Sequence, residues 1–350
     1  VSTSRQSTVD PALVDFTALA RWMDDQGLPP GDFTEVTELT GGTQNVMLRL
    51  RRGDQVYVLR RPPRHLRKRS NDALIREMRV LAALAPTPVR APAIVAGCPD
   101  PEVLGGAVFY LMEHVDGFNA TVSLPSRHAA DAAIRHEMGL GAARAIAALG
   151  EVDHVAVGLG DVGNPTGFLD RQVGRWLGEL DSYAAFDGYP GPDLPGVAEV
   201  ADWLDRNRPS TWRPGLMHGD YHLANIMYSR AGPQVAAIVD WEMVTVGDPL
   251  LDLGWLLATW PETDGGLIRP SAIADAGGLP SRAELIACYA EHTSRDLAAI
   301  IWYRVLACFK LGIVLEGTHA RACAGKAPAG IGDRLHAHAI GLLTQARSLI

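Results

Sequence analysis

Lysine is almost missing from this chain. Of its 32 basic residues only Lys68, Lys310 and Lys326 are lysine, and the rest are arginine. With alanine and glycine abundant, this bias matches what genomic base composition produces, so it carries no functional weight alone. Cysteine is also scarce. Cys98, Cys288, Cys308 and Cys323 have no CxxC spacing, which excludes a cysteine zinc ribbon and a disulfide framework and fits small buried thiols in a reducing compartment. No long apolar run exists: the most apolar stretch, 300–315, is interrupted by Arg304 and Lys310 and is too short to span a bilayer. Excess positive charge is absent too. A net charge of −8 argues against a general nucleic-acid binder. The polar residues 1–10 show no secretory signal, so a cytoplasmic protein is expected, with no membrane and no nucleic-acid partner; the sequence does not indicate an oligomeric state. What is present is 350 residues, 47% hydrophobic and 21% charged. That is an ordinary globular composition with enough chain for two lobes, each with a core.

The first hundred residues change period. Asp10-Pro11 reads as a helix cap with proline at the first helical position, and Leu13, Phe16, Leu19, Ala20 and Met23 follow a helical spacing. From Phe33 the period becomes two, predicting strands over 36–39, 46–50 and 55–60, the last two joined by a turn at Gly53-Asp54. Gly41-Gly42-Thr43 lies between the first two strands. Paired glycines there allow backbone amides to approach a ligand closely, although the same pattern serves an ordinary hairpin turn and is not GxGxxG. Asn71 or Asp72 is expected to cap a helix bearing Leu74, Ile75, Met78, Leu81 and Leu84 on its apolar face. Glu77 shares that helix and would meet Arg60 if it packs behind the sheet. Strands over 93–96 and 107–112 follow, the second running into Glu113-His114-Val115-Asp116. The lobe boundary is placed here, giving an N-terminal lobe over 1–115 and a mainly helical lobe over 116–350. Helices are expected over 129–149, 168–180, 195–206, 281–292, 297–317 and 331–349.

The stretch 216–256, LMHGDYHLANIMYSRAGPQVAAIVDWEMVTVGDPLLDLGWL, organises the rest. A polar loop from His218 to Asn225 precedes an apolar strand that ends at Asp240. Asp220 and Asn225 are five residues apart in one loop and can face a common point. A carboxylate and an amide, with no cysteine and few histidines committed, suit a hard cation such as Mg²⁺. A further carboxylate suits a hydroxyl about to be phosphorylated. His218 and His222 have an HxxxH spacing that could hold zinc on a helix, but Gly219 makes the stretch a loop, and His218 is expected to brace it. Asp248-Pro249 reads as a helix start, with Asp252 near the same face. Trp176, Trp255 and Trp302 lie on helical apolar faces and are expected in the core.

Taken together, HGDYHLANIM, IVDWE, VYVLRRPP, YLMEHVDG and DWEMVTVGDPLLDLGW resemble the aminoglycoside phosphotransferase family, and within it the branch also found fused to acyl-CoA dehydrogenases. The likeness covers about residues 33–260. It implies an α+β, bilobal, protein-kinase-like fold, with a small antiparallel-sheet lobe followed by a larger helical one. It also implies ATP and Mg²⁺ as cofactors and a small hydroxylated molecule as acceptor. Carried over residue by residue, Asp220 would orient and deprotonate the acceptor hydroxyl, and Asn225 and Asp240 would bind Mg²⁺. Gly41, Gly42 and Thr43 would lie over the phosphates, and the Glu113 carbonyl and Val115 amide would read the nucleotide base. Arg60 stands where such kinases carry lysine, and Glu77 where they carry its partner. Arginine keeps the charge but is a planar, longer fork. The competing expectation is a catalytically idle nucleotide-binding module, against which Asp220, Asn225 and Asp240 are all present. A protein kinase is disfavoured because GDPLLDLGW follows Asp240 with no long activation segment.

Overall fold

The alternating apolar residues of 46–61 and 109–113 form the centre of an antiparallel sheet. The computed structural model describes residues 14–39, 45–63, 66, 69–261 and 271–350. The chain divides into two compact units, Val1–Asp116 with Ala237–Glu242, and Gly117–Ala236 with Met243–Ile350. The boundary expected near residue 115 is a single cut and omits the return of Ala237–Glu242 to the first unit.

In the first unit, helix α1 (Phe16–Asp25) is capped by Asp15, whose Oδ1 accepts from the amides of Thr17 and Ala18; the expected Asp10-Pro11 cap lies outside the described residues. Strands β1 (Phe33–Glu38), β2 (Val46–Arg52) and β3 (Gln55–Arg61) precede helix α2 (Ser70–Leu84), which is followed by β4 (Ile94–Cys98) and β5 (Phe109–Glu113). The sheet order is β1-β2-β3-β5-β4, with every pair antiparallel. Period-two alternation separates its faces. Leu48, Leu50, Tyr57, Leu59, Phe109 and Leu111 join Leu19 and Met23 of α1 in one buried cluster. Arg60 alternates to the opposite face, paired in register with Met47 and Tyr110. Neither Asn71 nor Asp72 is the cap of α2, which starts at Ser70 without a side-chain cap bond. Asn71 instead spends both ends of its amide on the β5 approach, donating to the Gly106 carbonyl and accepting from the Val108 amide.

The second unit contains β6 (Gly117–Asn119), α3 (Ser126–Ala130), α4 (Ala132–Gly150), α5 (Gln172–Ser182), α6 (Val197–Arg206), β7 (Gly215–Met217) and β8 (Ile226–Ser229). The chain leaves it along β9 (Val235–Ile238) and returns through β10 (Thr245–Gly247), α7 (Leu250–Ala258), α8 (Ala272–Ala276), α9 (Arg282–Ala290), α10 (Ile300–Cys323) and α11 (Ala329–Ser348). The single helix expected over 129–149 is two, because Asp131 adopts an extended conformation and caps α4 through the amides of Ala133 and Ile134. The 24-residue α10 packs against α7 and α11. Glycine at 254 permits the approach to α7: a Cβ there would lie 2.5 Å from the Tyr303 carbonyl oxygen. Among the described residues no helix is long and apolar enough to cross a membrane.

Candidate active site

The HGDxxxxN segment forms a loop between short elements. β7 pairs with β10, the chain leaves β7 at Met217, and a 3-10 turn over Leu223–Asn225 delivers it to β8. Two tyrosines pin the loop and the strand after it to α4: the Tyr221 hydroxyl donates to the Ala142 carbonyl and the Tyr228 hydroxyl to that of Met138. Gly219 turns the loop at φ 87°, and a Cβ there would lie 2.5 Å from the Met243 carbonyl oxygen. No other residue fits that corner without moving backbone.

Within this loop the structure brings Asp220 and Asn225 together. The Asn225 amide nitrogen donates to the Asp220 carbonyl at 2.9 Å and to its Oδ2 at 3.2 Å. That orientation leaves the Asn225 carbonyl oxygen as the atom able to meet a cation. The Asp220 Oδ1 lies 3.4 Å from His222 Nε2. Burial works against the ionised form of Asp220, but the His222 hydrogen bond and the neighbouring charges of His222 and Lys310 outweigh it and hold the carboxyl at about 2. His218 braces the loop as expected: it is buried, and its Nδ1 accepts from the Asp220 amide.

Two supporting residues come from distant helices. Asp252 on α7 is buried and accepts from the His218 amide at 2.6 Å and the Gly219 amide at 2.9 Å. It therefore clamps the loop from behind. Burial pushes its carboxyl up to about 6 despite those two bonds and Lys310. Lys310 on α10 donates to the Gly219 carbonyl and lies 4.4 Å from the Trp255 ring and 5.5 Å from the Trp176 ring. Burial pulls its ammonium down to about 8, against the attraction of Asp252 and Asp220. Sequence reading left Lys310 out because nothing local marks it. Its only signal is a lysine inside an apolar helix of a chain that nearly avoids lysine.

In the first unit, Arg60, Glu77 and Asp240 come together. Arg60 Nε is 3.0 Å from Glu77 Oε2, an ion pair whose angle falls short of a hydrogen bond, and Nη2 donates to Asp240 Oδ1 at 3.1 Å. Glu242 Oε2 lies 4.0 Å from the same Nη2. Burial and the charges of Asp240 and Glu242 outweigh Arg60 and push Glu77 up to about 7. Arg60 itself is held cationic by its carboxylate neighbours. Asp240 has φ 67°, the one left-handed non-glycine among the described residues, a strained backbone of the kind found at functional positions. Glu113 ends β5 with an exposed side chain that accepts from the Ala93 amide, and Val115 lies two residues on in the connector, half-buried. Gly41, Gly42 and Thr43 lie outside the described residues.

A five-stranded antiparallel sheet with a buried Arg–Glu pair, and a mainly helical unit carrying an HGDxxxxN loop, define a kinase-like phosphotransferase. The chain belongs to the APH phosphotransferase enzyme family, whose model matches residues 35–286. It is 31% identical over 297 residues to acyl-CoA dehydrogenase family member 11 of Rattus norvegicus, a match that takes in 83% of this chain and 37% of that protein. The chain thus spans little more than a third of that relative's length. A crystal structure of a provisionally assigned aminoglycoside phosphotransferase from Ralstonia eutropha is 29% identical with TM-score 0.78, covering 96% of this chain and 99% of the other. A ternary complex of the phosphotransferase APH(4)-Ia with ADP and hygromycin B shares the fold at 14% identity and TM-score 0.57, over 93% and 98% of the two chains.

Proposed function

We propose that the chain is an ATP- and Mg²⁺-dependent O-phosphotransferase acting on a hydroxyl of a small molecule. The observation that carries this reading is the Asp220–Asn225 pair: an ionised carboxylate and an amide oxygen presented by one rigid loop. Phosphoryl transfer asks little covalent chemistry of the protein and much positioning and charge neutralisation. Asp220 would orient the acceptor hydroxyl and take its proton as the oxygen–phosphorus bond forms. Asn225 and Asp240 offer the amide and carboxylate oxygens that a hard cation prefers, and they are the residues assigned to Mg²⁺. When bound there, the ion would neutralise charge on the phosphate oxygens. Arg60, kept cationic and oriented by Glu77, would contact the phosphates, and the Glu113 carbonyl and Val115 amide would hold the base. Gly41, Gly42 and Thr43 are assigned to the phosphates by resemblance alone.

For the acceptor, likeness to an acyl-CoA dehydrogenase family member favours a hydroxylated acyl metabolite over an antibiotic. The four cysteines, all free thiols, support a reducing, cytoplasmic setting. The test combines ADP release with a mass-shift screen over hydroxylated acyl compounds, other metabolites and aminoglycosides. Phosphorylated product formed by the wild type and lost in Asp220→Asn supports the reading. Nucleotide binding with no product from any acceptor, and ADP release equal in wild type and variant, would replace it with an idle nucleotide-binding module.

A further inference from the structure

We propose that Glu316, His319 and His336 form a binding site for a zinc-class divalent cation, separate from the residues assigned to phosphotransfer. Glu316 and His319 lie three residues apart on α10, so they project to one side of the helix. His336 reaches them from α11. The three side chains place one ligand atom each within 4.8 Å of one another. In a tetrahedral zinc shell such atoms sit about 3.4 Å apart, so the 2.7 Å His336–Glu316 pair would open on binding, an adjustment open to two half-buried imidazoles.

Three details of the cluster point to a cation. Glu316 has no solvent exposure, and a carboxylate in that position needs positive charge beside it. Its Oε1 accepts from the Tyr189 hydroxyl at 2.7 Å, and its Oε2 is 2.7 Å from His336 Nδ1. Tyr189 thereby fixes the plane of the carboxylate, as groups behind metal ligands do. His319 Nδ1 is buried with no hydrogen-bond partner, with Asp333 Oδ1 3.9 Å away, while its Nε2 is 3.7 Å from Cys323 Sγ, so Nδ1 is the atom offered to a cation. Two imidazoles and one carboxylate are a borderline donor set that selects zinc over magnesium. Three protein ligands leave a fourth position for water. The ion would join α10 to α11.

The experiment starts from full-length protein stripped with a chelator. Zinc is titrated in against a chromogenic chelator, and cobalt is added separately to read its visible absorption. One equivalent of tight zinc, a tetrahedral cobalt spectrum and a raised melting temperature are expected. His319→Ala and His336→Ala should each weaken zinc at least about tenfold, and Asp240→Asn should leave it unchanged. Less than one equivalent bound by the wild type overturns the proposal without reference to any variant. Zinc lost in Asp240→Asn but kept in His319→Ala would put the ion at the phosphotransfer residues and overturn it equally. Neither outcome depends on whether an acceptor is phosphorylated.

Discussion

The acidic groups around Asp220 and around Asp240 are held by different means. In the second unit, the Asp220 loop is fixed through backbone: Asp252 grips two amides, Lys310 one carbonyl, and Asn225 the Asp220 carbonyl. In the first unit, Arg60, Glu77 and Asp240 hold one another through side chains, by charge and by the Arg60–Asp240 hydrogen bond. Backbone clamping fixes a geometry that survives changes of charge nearby. A side-chain ion cluster is different, because its geometry depends on the protonation of each member and on whatever anion arrives. The first arrangement suits a group that must stay aimed, the second a group that must accommodate a polyphosphate.

The largest effect is expected at the side-chain ion cluster. Arg60→Ala leaves Glu77 buried beside two other carboxylates and should destabilise by about 3–5 kcal/mol, measured by urea unfolding. That cost should shrink at low pH. Glu77 titrates at about 7 rather than at the usual 4.5, so its contribution is complete below about 4.5 and is lost as pH rises through about 7. Glu77→Gln should therefore flatten the stability profile across that window. A destabilisation by Arg60→Ala that does not vary between pH 5 and 8 would show that the cluster is not charge-held. In the other group, Asp220→Asn should lower turnover at least about 10²-fold with unfolding unchanged. Asp252→Asn should cost about 1–3 kcal/mol from its charge-assisted bonds, seen as lower kcat with nucleotide KM retained. A rise in nucleotide KM instead would break the division between the two groups.

The smallest effect is expected from Lys310→Met, which keeps the packing between Trp176 and Trp255. Turnover should fall about tenfold or less, corresponding to about 1.4 kcal/mol of lost positioning. Its titration gives a sharper reading. Lys310 is depressed from 10.5 to about 8, so between these values the unfolded chain binds more protons and wild-type stability should rise with pH. Lys310→Met should lose that rise, which urea unfolding at several pH values will show.

The parts legible in the sequence were those encoded locally. Alternation along 46–61 marked the strands, Arg60 and Glu77 could be placed on opposing elements, and HGDxxxxN set Asp220 against Asn225 because five residues of loop leave little choice. Contacts across the helical unit were not legible. The distances in sequence from Asp252 to His218, 34 residues, and from Lys310 to Gly219, 91 residues, are fixed by helix packing that no short-range pattern records. Boundaries also slipped where a polar side chain had two uses. Asn71 looks like a cap but holds the β5 approach, whereas Asp131 sits inside a helical pattern and interrupts it.

Lys310 also provides a native optical reporter. Its ammonium lies against two indole rings while its proton donor meets the backbone of the loop bearing Asp220. An indole's emission colour responds to charge beside the ring, so any shift of that loop which drags the ammonium along should register as a change in intrinsic fluorescence. The enzyme can therefore be followed through its cycle without attaching a dye, and Lys310→Met supplies the silent control.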